Sequence, residues 1–303
     1  MVEARVTVIV VTWNAAHDIA RSLTSIGLRH PVVVVDNAST DDTLGVVSAV
    51  APGARVIANP VNTGFAAGAN RGLEEVGTEF ALLLNPDCRV EPGAIDALVE
   101  FADRHPRSGL MSAAIIDELG QPEAAAGGRQ PSLLSVAVHE LGLGRLLPSW
   151  SVYGTATTEA TRKGWVAGTC LLVRREAVSD VGPLDESYFL YCEDQDWCRR
   201  MEAAGWEVWL VPAGRARHAR SSAVNHAGPW VDVYRIGCAD RYFAAHHGSA
   251  ALTVFRLLRI VGLGGRALAL TAIAVVARDA GIARRARQRR GDAARASRLL
   301  RGR

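Results

Sequence analysis

Four times within the first 104 residues the chain repeats one pattern: a short run of apolar, mostly β-branched residues, a polar stop, and a stretch with apolar residues at helical spacing. Arg5 to Val11 is followed by Thr12-Trp13-Asn14 and a helix with Ile19, Leu23 and Ile26 on one face. Val32 to Val35 ends in Asp36-Asn37, after which Ser39 and Asp42 stand in the capping-box relation that opens a helix. Arg55 to Ala58 stops at Asn59-Pro60, and a helix follows from Phe65 to Val76, entered through the small residues Gly64, Ala66, Ala67, Gly68 and Ala69. Ala81 to Leu84 stops at Asn85-Pro86, where proline cannot continue a ladder, and Pro92 then opens a helix running to about Arg104. Such short apolar runs fit strands buried on both faces, and their alternation with helices predicts a parallel, doubly wound sheet.

In a sheet of that kind the carboxyl ends of the strands converge on one edge, where ligands sit. Polar residues follow each of the four strands: Thr12 and Asn14, then Asp36, Asn62 and Asp87. A single acid at a strand end is ordinarily a cap, but four polar ends in succession point to a nucleotide. Asp36 can accept from a base N–H, Gly64 and Gly68 let a backbone approach closely, and Asn70 can hydrogen-bond polar oxygens. Asp87, just past a buried strand, is suited to a divalent cation and, through it, a diphosphate. There is no Gly-x-Gly-x-x-Gly after the first strand, no P-loop, no Gly-x-Ser-x-Gly and no His-Glu-x-x-His. Dinucleotide enzymes, P-loop NTPases, serine hydrolases and zincins are therefore poor candidates.

Between about Asp117 and Lys163 the pattern gives way to Gly, Pro, Ala and Thr, with one helix near Leu133 to Leu143; this reads as an excursion from the sheet and a mobile flap over the site. Order resumes with a strand from Thr169 to Val173, a helix from Arg175, a helix from Glu193 to Ala204 ended by Gly205, and a strand from Glu207 to Val211 with His218 beyond it. The expected organisation is a domain over 1–222, a helical region over 223–277 and an arginine-rich tail over 278–303.

A composition of 49% hydrophobic and 21% charged residues over 303 positions is ordinary for a globular protein. Five cysteines with no Cys-x-x-Cys pair suggest neither a disulfide framework nor a zinc knuckle, and fit a reducing cytosol. Val6 to Val11 is too short an apolar run for a signal-peptide core, so export is not expected. The net charge of +3 conceals an asymmetry, since residues 278–303 carry a net +8 and the preceding 277 residues a net −5. Ala250 to Ala277 is strongly apolar, yet its longest charge-free piece, Ala267 to Ala277, falls well short of the about 20 residues a spanning helix needs. Arg256, Arg259, Arg266 and Arg278 share about a third of the helix circumference. That predicts an anchor lying on an anionic membrane surface, or a helix docked on the protein's own core. The tail lacks interleaved aromatics and a base-reading module, so nucleic acid is not an expected partner.

In their order and spacing, six segments resemble the inverting GT-A enzymes of glycosyltransferase family 2, in the rhamnosyltransferase-like branch. They are Val-Val-Thr-Trp-Asn (10–14), Val-Val-Asp-Asn-Ala-Ser-Thr-Asp (34–41), Asn-Thr-Gly-Phe-Ala-Ala-Gly-Ala-Asn-Arg-Gly (62–72), Leu-Asn-Pro-Asp (84–87), Gly-Thr-Cys-Leu-Leu-Val-Arg-Arg (168–175) and Leu-Asp-Glu-Ser-Tyr-Phe-Leu-Tyr-Cys-Glu-Asp-Gln-Asp-Trp (184–197). The resemblance covers about residues 5 to 222 and implies a Rossmann-like, mostly parallel sheet flanked by helices; the C-terminal amphipathic helical segment read from the residues lies beyond it. It implies nucleobase and ribose contacts at Thr12, Asn14 and Asp36, and a metal motif at Asn85-Pro86-Asp87 whose first acid is replaced by Asn85. Asp87 and His218 would then hold Mn²⁺ or Mg²⁺, and Asp194 would be the catalytic base, with Glu193 orienting the acceptor or exchanging roles. Gly168 belongs to a matching segment. Trp165 and Tyr188 are either sugar platforms or core aromatics, and Asp196, four residues before Arg200, reads better as a helix-surface ion pair. The implied reaction moves L-rhamnose from dTDP-L-rhamnose onto a polyprenyl-linked or envelope glycan at the inner face of the cell membrane. Alternatives are a UDP-galactofuranose or UDP-hexosamine donor, or a non-catalytic nucleotide-sugar binding protein.

Overall fold

In the computed structural model, which describes residues 4–123, 126–154, 157–219, 230–277 and 279–300, β1 (Val6–Thr12) is buried along its whole length. It pairs in parallel with β2 (Val32–Asp36) on one side and β4 (Phe80–Leu84) on the other, and β2 pairs in parallel with β3 (Arg55–Ala58). Helices α1 (Ile19–Ile26), α2 (Thr43–Val50) and α3 (Phe65–Leu73) make the crossovers, so the first half is the wound sheet that the alternation predicts. On α1 the buried residues include Ile19, Leu23 and Ile26, the face read from their spacing.

Beyond β4 the sheet becomes mixed. The strand order is β3-β2-β1-β4-β10-β6-β11-β5, with β8 (Thr161–Arg162) also on β11. β10 (Cys170–Arg174) runs antiparallel to both β4 and β6 (Ser108–Ile116). β11 (Glu207–His218) runs parallel to β6, with register shifts after Glu207 and after Val211, where Pro212 falls in the strand. Its far end pairs antiparallel with the three-residue β5 (Cys88–Val90). β7 (Gly127–Gly128) and β9 (Trp165–Val166) form a separate two-stranded ribbon. Helices α4 (Ala94–Arg104), α6 (Arg175–Val181) and α7 (Glu193–Ala203) complete the layer structure. Two sequence expectations change here. Gly93, in the left-handed conformation, precedes α4, so Pro92 lies outside that helix. The Ser39–Asp42 capping box does not form: the Ser39 hydroxyl accepts from Asn14 N–H at 2.8 Å instead, and α2 begins only after Asp42.

The described residues divide into two compact units, one of Met1–Gly128 with Thr155–Gly228 and the other of Arg129–Gly154 with Pro229–Arg303. Residues 129–154, within the excursion expected over 117–163, group with the C-terminal helices. Helix α5 (Leu133–Glu140) opens on a capping box between Ser132 and Ser135. Gln130 accepts from the Tyr242 hydroxyl at 2.7 Å, and Glu140 pairs with Arg266. Those partners lie on α8 (Trp230–Ala277), which is broken at Gly248, where φ is 79°. Helix α9 (Ala280–Leu300) packs along α8, so the arginine-rich tail is helical.

The arginines of α8 do not face water as a stripe. Arg256 donates to Asp240 at 2.7 Å, Arg259 lies 3.5 Å from the same carboxylate and over the Phe255 ring, and Arg266 is held by Glu140. The outward side of α8 is instead apolar, with Leu268 74% and Val276 86% exposed, and Val254, Leu257, Val261, Ile273 and Val275 also exposed. Gly237–Ala277 is long and apolar enough to cross a membrane by length and composition, and only 22% of its most apolar window is buried. The charge interruptions read from the sequence are therefore neutralised within the unit. The expected domain limit at 222 and Arg278 lie outside the described residues.

Candidate active site

The parallel strands deliver their polar ends to one edge, and the loops there are tied to one another by backbone and side-chain hydrogen bonds. Asn37 N–H donates to the Thr12 carbonyl, and Asn59 N–H to the Asp36 carbonyl, both at 2.8 Å. Asp36 accepts from the Ser39 hydroxyl at 2.5 Å and from its amide at 3.0 Å, while Asn14 Oδ1 accepts from Thr40 N–H at 2.7 Å. Asn62 Oδ1 accepts from Gly64 N–H at 3.0 Å. Asn37, absent from the sequence-derived set, donates to the Gly64 carbonyl at 2.9 Å and accepts from Asn59 at 2.7 Å.

Several residues expected to touch the nucleotide directly are buried. Thr12 and Asp36 are buried, and the Thr12 hydroxyl is closed off from solvent. Asn70 is buried too; its amide donates to the Leu184 carbonyl at 2.8 Å and to Glu186 at 3.0 Å, and its oxygen accepts from Leu184 N–H at 3.0 Å. It anchors the 184–186 segment rather than facing a ligand. A Cβ on Gly68 would meet Val11 Cγ1 at 2.7 Å, so that glycine serves helix-to-strand packing. At Gly64, φ is 87° and a Cβ would lie 2.3 Å from the Phe189 carbonyl oxygen. That close approach lets Phe65 N–H donate to the same carbonyl at 2.8 Å and draws the segment before α7 up to the strand ends. Trp165 is 4% and Tyr188 2% exposed, which places both in the core, one of the two readings their sequence leaves open. Asp196 is buried and ion-paired to Arg200 at 2.8 Å, as its spacing predicts.

Asp87 and His218 are brought together by strand pairing. Cys88 N–H donates to the Asn85 carbonyl at 3.0 Å, closing the Asn-Pro-Asp turn, and Cys88 then faces His218 in the β5–β11 ladder. Ala219 N–H donates to the Asp87 carbonyl at 3.0 Å, continuing the pairing by one step. His218 Nε2 lies 3.3 Å from Asp87 Oδ1. On the other side of the ring, His218 Nδ1 lies 3.5 Å from Glu123 Oε1. Burial lowers the His218 pKa, but the two flanking carboxylates, Asp87 and Glu123, more than offset it and push it up to about 9.

Asp194 sits in the first turn of α7, partly buried. Its Oδ1 accepts from Gln195 N–H at 2.7 Å and its Oδ2 from Gly168 N–H at 3.4 Å. Burial raises its pKa to about 6, against the lowering effect of these amides. Gly168 is followed by Thr169, whose carbonyl accepts from Asn85 N–H at 2.9 Å. Two adjacent residues at the entry to β10 therefore bridge the turn that carries Asp87 and the helix end that carries Asp194. Glu193, beside it, is buried. Among the described residues, the non-glycine positions with positive φ are Asn14, Ala38, Tyr191 and Cys192. All four lie in the segments that hold this edge, and the last two immediately precede Glu193 and Asp194. Strained backbone of that kind persists where the surrounding structure over-determines it.

A mixed sheet of this order, parallel through β1 to β4 and antiparallel at β10, with polar loops at its carboxyl edge, is the GT-A fold. Residues 7–182 match the family model for glycosyl transferase family 2, more than half of the chain, and the protein belongs to that family. It is 32% identical over 262 residues to the N-acetylglucosaminyl-diphospho-decaprenol L-rhamnosyltransferase of Mycobacterium tuberculosis, covering 80% of this chain and 81% of that protein. Rhamnosyltransferase WbbL of Escherichia coli is 28% identical over 142 residues, 46% of this chain and 52% of that protein. Among solved structures, the mannosyltransferase PcManGT of Pyrobaculum calidifontis, in complex with GDP-Man and Mn²⁺, has the same fold with a TM-score of 0.60 at 19% identity, covering 97% of this chain and 86% of that one. GalNAc-T7 with UDP, GalNAc and Mn²⁺ gives a TM-score of 0.55 at 17% identity, over 80% and 50% of the two chains. The matched family segment ends before Asp194 and His218, so the placement of those two residues rests on the structure.

Proposed function

We propose that this family 2 glycosyltransferase moves L-rhamnose from dTDP-L-rhamnose, with inversion, onto a lipid-linked glycan acceptor at a membrane surface. The observation that carries the reading is the bridge through Gly168 and Thr169, which ties a cation-binding turn to a carboxylate suited to act as a base. Asp87 and His218 fit a divalent cation chemically, since a carboxylate and an imidazole suit Mn²⁺ or Mg²⁺. Among the described residues no cluster of three or more His, Cys, Asp or Glu could hold a metal, so a donor diphosphate and water would fill the remaining positions. When bound, such a cation offsets charge on the departing diphosphate.

Asp194 removes the proton of the acceptor hydroxyl as that oxygen bonds to the anomeric carbon, and the bond to the diphosphate breaks on the opposite face of the sugar. Its raised pKa serves this role, because a base is most effective when its pKa approaches the working pH. Gly168 N–H and Gln195 N–H hold its two oxygens. Asn14 and the Asp36–Ser39 loop supply the polar surface for the nucleoside, and Asn62 with Gly64 shapes its far wall.

The rhamnose donor and the lipid-linked acceptor are supported by the names of the mycobacterial and E. coli relatives and by the outward apolar face of α8. Exposed apolar residues over this length, followed by the arginines of α9, suit the surface of an anionic membrane.

The test is a panel of dTDP- and UDP-sugars with a polyprenyl-diphosphate-linked acceptor, scored by nucleoside diphosphate release with and without Mn²⁺. Release with dTDP-rhamnose, dependent on Mn²⁺ and lost in Asp87→Ala together with Mn²⁺-dependent donor binding, is the expected result. Release with a UDP-sugar alone overturns the donor assignment, and equal donor binding by wild type and Asp87→Ala overturns the metal role.

A further inference from the structure

His218 has carboxylates on both sides of its ring, and only one belongs to the turn at Asp87. Glu123 lies in a Gly-, Pro- and Ala-rich stretch with no motif of its own, yet its placement is closely determined. The chain turns where Asp117 Oδ1 accepts from Leu119 N–H at 2.9 Å and Gln121 N–H at 2.8 Å. It then returns against the end of β6 through the Ile116–Pro122 bridge and the bond from Glu123 N–H to the Ile115 carbonyl at 2.9 Å. Since Ile116 is the partner of Arg217 in the β6–β11 ladder, this return lays Glu123 alongside His218. Its carboxylate is 8% exposed, and burying a carboxylate is costly unless a cation or donor faces it.

We propose that Glu123 is the positioning residue of His218: its carboxylate accepts a hydrogen bond from Nδ1–H and so presents Nε2, with its lone pair, to the cation held with Asp87. This rests on the metal reading given above. An imidazole that ligates a metal must be neutral, and the nitrogen carrying its proton is set by the hydrogen bond the other nitrogen makes. Asp87 Oδ1, 3.3 Å from Nε2, favours a proton on the wrong nitrogen for ligation. Glu123, 3.5 Å from Nδ1, favours it on the right one. With both acids present the ring holds its plane between them, and a cation arriving at Nε2 has only the Nε2 proton to displace. Without Glu123 the cation would also have to hold the ring in place.

The experiment is an EPR titration of free Mn²⁺ with the full-length chain, alone and with dTDP, on wild type, Glu123→Gln, Glu123→Ala and Asp87→Ala, with dTDP binding in EDTA as a second readout. Glu123→Ala is expected to weaken Mn²⁺ binding by about 10- to 100-fold, the usual effect of removing such a partner. Glu123→Gln, whose amide oxygen still accepts from Nδ1–H, is expected to fall between wild type and Glu123→Ala, and dTDP binding in EDTA to stay the same across the series. Unchanged Mn²⁺ affinity in both Glu123 variants, with loss in Asp87→Ala, overturns the inference and leaves the metal reading standing. A wild type that binds no Mn²⁺ in either condition overturns both. Should Glu123→Ala fail to fold, Glu123→Gln decides, because it keeps the volume and removes only the charge.

Discussion

Asp194 shows how one side chain can be held between two demands. In the proposed role of base it must be ionised to take a proton, and it lies where ionisation is disfavoured by burial. With its pKa raised to about 6, kcat/KM is expected to rise with pH through about 6 and then level, in a profile measured at saturating Mn²⁺. The sign for stability is opposite: a carboxyl whose folded pKa lies above its unfolded value adds stability that is full below about 4 and lost as pH rises through about 6. Asp194→Asn is expected to lower turnover by about 10²- to 10⁴-fold while donor binding, followed by calorimetry, stays near wild type. Near-normal turnover would remove Asp194 from the role of base. Its place in a Glu-Asp pair opening a helix was legible in the sequence. The Gly168 amide that holds it was not, because a residue 26 positions away leaves no trace in local spacing.

At the level of elements, the winding of β1 to β4 was legible and the second half of the sheet was only partly so. β6 escapes a pattern search because Ser108–Ile116 mixes Ser, Gly and Ala with its apolar residues, although every residue but Ala114 is buried. β5 has three residues, too few for any periodicity. β10 was legible as a strand, but a short apolar run reads the same in either direction, and only pairing makes it antiparallel. Candidate site residues can be proposed from their positions at strand ends, whereas their division into ligand-facing and loop-holding groups depends on partners distant in sequence. Asn70, held to Leu184 and Glu186, is a case of the second kind. The loop contact at Gly64 carries its own prediction. Gly64→Ala adds a Cβ that would stand 2.3 Å from the Phe189 oxygen and requires a positive φ from alanine. It is expected to cost about 1–3 kcal/mol in urea unfolding and to raise the donor KM, since the 185–191 segment must retreat from the strand ends. A variant with wild-type stability and KM would show that this contact is dispensable.

Over the whole molecule, the second unit turns the usual arrangement of an amphipathic helix outward. Arg256, Arg259 and Arg266 of α8 are engaged by Asp240 and Glu140, and leucine, isoleucine and valine face out. The sequence shows the stripe but not which side is buried, since Asp240 and Glu140 lie 16 and 126 residues from the arginines they pair with. Leu268→Asp combined with Val276→Asp is expected to reduce flotation with anionic vesicles strongly while leaving the unfolding midpoint unchanged, because both side chains are already exposed. Undiminished flotation would place the membrane contact elsewhere.

The second unit is also discontinuous in sequence, which matters for anyone who would cut the chain. The polypeptide passes between the units three times, after Gly128, after Gly154 and after Gly228, so no single break separates them. A chain ending at 228 would keep residues 129–154 but strip Gln130 of Tyr242 and Glu140 of Arg266, leaving an unsupported insert in the middle of the catalytic half. Proteases should find that insert first.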